Sequence, residues 1–259
     1  MVKSYDGGHT WTQPRDVIPI TDPCFFVDPV SHRCVEDGIA GARTDLAAGP
    51  SVDIANGAPT GQDATDQIVD VWVDGRDGLN HEHVLLSYST DGGNTWSSPT
   101  AVESDPNDRG YYTAPVLSPD GRDLYVVYNA FTAPFRTTTT EVRGLVGVVL
   151  HADLPTGGGT PTGFSELHRG VAGDPRGSSQ NTPVAEFLGD YIYAIATRDY
   201  AAAVWNDVRN ASDCPAMDDW RASLRGGPAA PRPAPNIDCP PTFGNSDIFG
   251  GSWADPTTP

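Results

Sequence analysis

One octapeptide occurs twice in this chain and constrains its fold more than any other feature. Ser4-Tyr5-Asp6-Gly7-Gly8-His9-Thr10-Trp11 is matched by Ser89-Thr90-Asp91-Gly92-Gly93-Asn94-Thr95-Trp96, with six of eight positions identical. The pattern is that of a hairpin turn. The aspartate accepts hydrogen bonds from backbone N–H groups just ahead of it, the glycines admit positive φ, and Thr-Trp opens the returning strand with a large apolar anchor. Ser4, Asp6, Gly8, Thr10 and Trp11, with Ser89, Asp91, Gly93, Thr95 and Trp96, are therefore read as folding elements, not as a site. A turn that recurs between short strands predicts a fold assembled from repeated sheet units.

The sequence around the second copy fits such a unit. Ser51–Ala55, Ile68–Val73, His83–Tyr88 and Thr100–Val102 read as four strands. A second unit follows without the turn motif, at Ala114–Leu117, Asp123–Tyr128, Leu145–Leu150 and Phe164–Leu167, with Ser118-Pro119-Asp120-Gly121 as a tight turn. A third is expected at Thr182–Phe187, Tyr191–Ala196, Ala203–Trp205 and Asp247–Gly251. Each unit spans roughly 50 residues, close to the blade length of larger propeller repeats. Glycine (28) and proline (24) are scattered among these runs, which favours strands and turns over long helices. With 259 residues, 38% of them hydrophobic, the chain has enough apolar material for one domain over 1–259. Polar insertions are expected at about 21–47 and 210–245, the kind of loop that overlies a functional face.

Charge narrows the partners. The formal charge is −18 and Lys3 is the only lysine. An acidic surface opposes phosphate backbones and anionic lipid, so nucleic acid is excluded as a partner. No apolar stretch is long enough for membrane insertion. Lys3 lacks the preceding glycine of a phosphate-binding loop. The cysteines fall as two local pairs, Cys24 with Cys34 and Cys214 with Cys239. Loop-stapling disulfides are the natural reading, although four cysteines permit three connectivities. Disulfides imply an oxidising compartment, so a secreted, extracellular protein is expected. The amino end has no signal-peptide pattern, which implies that a signal was removed or that the natural start lies upstream.

The octapeptide resembles the Asp-box, or bacterial neuraminidase (BNR) repeat, of sialidase-like β-propellers. Phe187–Tyr191, Val204–Arg209 and Asp247–Phe249 are similar to a blade pattern of secreted bacterial members. The resemblance implies an all-β propeller of four-stranded antiparallel blades, six in the family. Fewer can be assembled here, so the missing blades are expected from the rest of a longer chain or from a second chain. For function it implies a secreted sialidase, a glycoside hydrolase that removes terminal sialic acid or a related acidic sugar from glycoconjugates. In such enzymes arginines grip the substrate carboxylate, a tyrosine assisted by a glutamate is the nucleophile, and an aspartate is the acid/base. The alternative is a non-catalytic Asp-box propeller that binds glycans or proteins, because fold does not settle function. The family's early Phe/Tyr-Arg-Ile-Pro motif is absent, so whether the chain is an enzyme stays open.

Arginines near the ends of inner strands are the candidates for a carboxylate clamp, since guanidinium binds carboxylate bidentately: Arg43, Arg143, Arg198 and Arg209. Arg209 stands out because Trp205, Asp207 and Arg209 alternate onto one strand face. Glu186, Asp190 and Tyr191 are the catalytic candidates. Each has a structural reading beside it: an ion-pair partner for the arginines, a turn for Asp190, a cap or salt bridge for Glu186. His81 and His83 share a strand face but lack a third ligand, and Asp105–Gly110 imitates a calcium loop without its closing glutamate. No cofactor and no metal site is assigned; structural calcium on acidic loops is the one ion the composition leaves room for.

Overall fold

The computed structural model describes residues 1–35, 48–135, 141–178, 188 and 191–257. Strands dominate, as the turn repeat and the Gly/Pro spacing require. After a small hairpin, β1 (Phe26–Val27) with β2 (Cys34–Val35), come eleven strands in three antiparallel sheets. The first sheet is β3 (Ser51–Ile54), β4 (Ile68–Asp74), β5 (His83–Ser89) and β6 (Thr100–Ala101). The second is β7 (Arg109–Leu117), β8 (Asp123–Phe131), β9 (Leu145–Asp153) and β10 (Thr162–Arg169). The third is β11 (Tyr193–Ala196), β12 (Tyr200–Asp207) and β13 (Asp247–Ala254). Strands pair with their neighbours in chain order throughout.

The sheets pack face to face in chain order. Val69, Val71, Val84 and Leu86 of the first sheet meet Leu124, Val126, Val146 and Val148 of the second in one buried core. The other face of the second sheet, with Val127 and Val149, meets Ala203 and Trp205 of the third. Burial on both faces explains why β8 and β9 are almost continuously apolar, where a half-buried strand would alternate. The third sheet is apolar on its far side as well, and there Ile195, Val204 and Ile248 are exposed.

Both octapeptides adopt one geometry. Ser4 Oγ accepts from Gly8 N at 2.7 Å and Ser89 Oγ from Gly93 N at 2.8 Å. The aspartates accept from Thr10 N and Thr95 N, each at 2.9 Å, and from the threonine hydroxyls at 2.7 Å. Gly7, Gly8, Gly92 and Gly93 all have positive φ, as the turn demands. The first copy lies against the second, through Lys3 Nζ to Asn94 Oδ1 (2.7 Å) and Arg15 Nη2 to Gly93 O (2.6 Å). Trp11 is not the expected anchor: it is 62% exposed, its indole N–H turned back on Gly8 O.

A second repeated device escapes a search for identical runs. Trp72-x-Asp74-x-Arg76 ends β4 and Trp205-x-Asp207-x-Arg209 ends β12. In both, the indole N–H donates to the aspartate, the arginine backbone N–H returns to its Oδ1 at 2.9 Å, and the guanidinium clasps both carboxylate oxygens. The shared clip makes β12 the counterpart of β4, the second strand of its sheet. The third unit is thereby shifted by one strand from the sequence expectation: β11 is its first strand, and Thr182–Phe187 lies outside the described residues. Through the pairings Asp74 with His83 and Asp207 with Asp247, Asp255 takes the position of Asp91.

Disulfides join Cys24 to Cys34 and Cys214 to Cys239. The 210–245 insertion is not wholly irregular. Proline at the first helical position starts α1 (Pro215–Leu224), which buries Met217 and Trp220 against Phe243 and the second disulfide; a short α2 (Pro235–Asp238) follows. Arg225 of this insertion pairs with Asp28 of the β1–β2 hairpin at 2.6 Å, so the two insertions meet.

Candidate functional site

In the antiparallel sheets, the first strands β3, β7 and β11 all start at one end, and β12 finishes there. Both stapled insertions leave the sheets at this end. A cavity of about 190 Å³ opens among the strand starts, lined by Gly49, Pro50, Ser51, Tyr112, Thr113, Tyr191, Ile192 and Tyr193. Tyr112 is buried, whereas Tyr191 and Tyr193 are 62% and 61% exposed, their rings stacked at 6.1 Å with an 18° tilt. The described lining carries hydroxyls and aromatic faces and no charge.

Tyr191, expected from the sequence as a nucleophile, thus stands at the rim of a cavity. Glu186 and Asp190, its expected partners, lie outside the described residues, as does Arg43. The other arginines do not converge on one point. Arg198 lies before β12 and Arg209 after it, a separation of roughly 25 Å for an eight-residue strand. Arg198 pairs with Asp120 (3.2 Å) and Asp63 (3.6 Å). Arg209 is held by Asp207, which raises its pKa, and its guanidinium lies 4.2 Å over the Phe249 ring. Arg143 is fully buried and donates to Glu141 O.

Other charged groups at this end are also committed within the protein. Asp108 of the imitation calcium loop binds Arg169 (2.8 Å) and accepts from the Tyr128 hydroxyl (2.7 Å), so it faces inward. His83 is bracketed by Glu103 (2.6 Å) and Asp77 (3.0 Å), contacts that raise its pKa against the opposing effect of burial. Arg176 gathers Asp174, Asp213 and Asp218 beneath α1, where burial and then Asp213 push Asp218 up to about 9.

The opposite, turn-bearing end has a different character. A pocket of about 420 Å³ is lined by five aspartates, 120, 123, 153, 199 and 255, against Arg122 and Arg198. Behind Asp123 and Asp255 of this lining, His151 Nε2 lies 3.0 Å from Asp123 Oδ1 and 3.9 Å from Asp255 Oδ1. Among the described residues this is the one group of three whose donor atoms approach closely enough to hold a metal ion. No local sequence pattern signals it, since its members are distant in the chain and come from two sheets. Tyr112, Thr113 and Ser51 were equally invisible, being ordinary strand residues until β3, β7 and β11 come together. Arg76 had a signal: the second W-x-D-x-R.

No protein-family model and no curated protein matches the chain. Among solved structures it is similar to an N-acetylgalactosamine deacetylase from F. plautii, crystallised in complex with blood group B trisaccharide. The identity is 13% and the TM-score 0.35, over 87% of this chain and 56% of that one. The chain spans little more than half the length of that protein, and a likeness at this level carries no argument. The described residues include no helix long and apolar enough to cross a membrane.

Proposed function

We propose that the chain is a three-sheet segment of a secreted Asp-box β-propeller, and that it binds neutral carbohydrate in the tyrosine-lined cavity at the strand starts. The observation that carries this reading is the cavity's lining. Stacked, exposed Tyr191 and Tyr193 offer flat apolar faces of the kind that sugar rings lie against, beside the hydroxyl-bearing Ser51 and Thr113. A carboxylate-bearing sugar would need guanidinium groups, and Arg143, Arg198 and Arg209 are each held within the protein. Two Asp-box turns, three face-to-face antiparallel meanders and first strands that gather together support the propeller. The exposed apolar far face of the third sheet supports a further sheet of the same build packing there, as the second packs on the first.

The sialidase reading keeps one specific observation in its favour, the exposed Tyr191 beside a cavity. Arraying the purified chain against neutral and sialylated glycans, with a fluorogenic sialoside assayed in parallel, separates the two. Retention on neutral glycans without sialoside turnover supports the binding module. Turnover that is lost in Arg209→Ala supports the hydrolase and overturns it.

A further inference from the structure

The acidic pocket at the turn end is built differently from the solvated carboxylate runs elsewhere on this chain. Asp123 begins β8 and His151 lies on β9, both on the face of the second sheet that meets the third. Asp255 arrives from the other side, just past β13. Asp123 and His151 are 4% and 1% exposed, and the donor oxygens and nitrogen of all three residues lie within 4.8 Å of one another. Asp255 also departs from its counterpart. Asp91 directs both carboxylate oxygens to its own turn, accepting from Thr95 N and from the Thr95 hydroxyl. Asp255 takes Thr257 N and its hydroxyl on Oδ1, the same oxygen that faces His151 across the sheet boundary.

The charge around this group is lopsided. Five aspartates line the pocket against two arginines, and Arg198 is already engaged by Asp120 and Asp63. Asp123 finds its polar partner in His151, both side chains being shut away from solvent. A metal ion bound about 2.1 Å from each of three tetrahedral donors sets them roughly 3.4 Å apart. The observed 3.0 and 3.9 Å bracket that separation. One imidazole nitrogen with two carboxylates suits zinc or manganese, whereas calcium takes six to eight oxygens.

We propose that Asp123, His151 and Asp255 bind one divalent transition-metal ion, zinc or manganese, which clamps the second sheet to the third at the turn end. The pocket leaves the remaining coordination positions open to water. The site is independent of the carbohydrate cavity, which lies at the other end of the strands.

The test is calorimetric titration of the EDTA-stripped, full 259-residue chain with zinc, manganese and calcium chlorides, with thermal melts alongside. The expected result is one zinc or manganese per chain and a melting temperature raised by roughly 5 °C at a hundredfold excess over Kd. Asp255→Asn, an isosteric change, is expected to weaken binding at least tenfold; His151→Gln abolishes it. His83→Asn, which removes the other carboxylate-paired imidazole, leaves binding unchanged. The proposal is overturned by the absence of stoichiometric binding. It is equally overturned by binding that survives Asp255→Asn, or by binding that disappears with His83→Asn.

Discussion

Gly147 of β9 lies so close to the Trp205 indole of β12 that a β-carbon there would overlap the ring. Glycine is required at this position because the largest buried side chain of the third sheet seats itself on bare backbone of the second. The contact fixes how closely the two sheets approach. Gly147→Ala must displace the indole, and with it the Trp205–Asp207 hydrogen bond. A loss of about 2–3 kcal/mol in urea unfolding is expected. Gly157→Ala, at a surface turn with open space around it, serves as a control, although its positive φ costs something of its own.

The clip at the end of β12 gives a second expectation. Asp207 is buried and held by Trp205, the Arg209 backbone and the Arg209 guanidinium. Asp207→Asn is expected to cost about 2 kcal/mol, and Arg209→Ala a similar amount, because the first leaves a half-buried guanidinium and the second a buried carboxylate without its charge partner. The double variant should lose less than the sum, and a double-mutant cycle by urea unfolding measures the coupling. Simple additivity would show that the two side chains do not act as one unit.

Asp70 sets a pH dependence. It is 8% exposed and its Oδ1 has no hydrogen-bond partner among the described residues, so burial pushes its pKa up to about 6. A raised carboxyl pKa penalises the charged folded state. Stability from this group is greatest below pH 4, falls as the pH rises to 6, and is flat above. Asp70→Asn removes that slope. Relative to wild type, its stability should improve by up to about 3 kcal/mol between pH 4 and pH 7.5. Parallel pH profiles for the two proteins would contradict the assignment.

The uncovered face of the third sheet predicts association. Ile195 and Ile248 are 65% and 66% exposed on a sheet whose opposite face is fully packed. Sedimentation velocity at increasing concentration should show self-association of the wild-type chain. Ile195→Lys combined with Ile248→Lys should return it to monomer. A wild-type chain that is monomeric throughout would show that the face needs no cover.

The fold was legible where local chemistry dictates it. The serine, aspartate and threonine side chains of the Asp-boxes hydrogen-bond within their own turns, so eight residues suffice to specify the geometry. Strands β3 to β10 follow from apolar runs punctuated by Gly, Pro and Asp. The third sheet was misregistered because Tyr191–Ala196 reads equally well as a first or a second strand; only the paired W-x-D-x-R clips decide it. The helix at Pro215–Leu224 was missed inside a proline-rich, polar stretch whose apolar side, Met217 and Trp220, is narrow. Tyr191 is named from the sequence as a nucleophile, and Ser51 and Tyr112 join it at the cavity only through the packing of three sheets. Asp123, His151 and Asp255 come together in the same way, from positions that no local pattern connects.

The central claim is that the tyrosine cavity recognises a neutral sugar. Calorimetric titration of wild type and Tyr191→Ala with the neutral oligosaccharide that the array retains best tests it directly. Tyr191 is 62% exposed, so its removal should leave the melting temperature unchanged. At least a tenfold loss of affinity is expected, about 1.4 kcal/mol or more. Equal affinity in the two proteins would contradict it, as would failure of the folded wild-type chain to bind any neutral glycan.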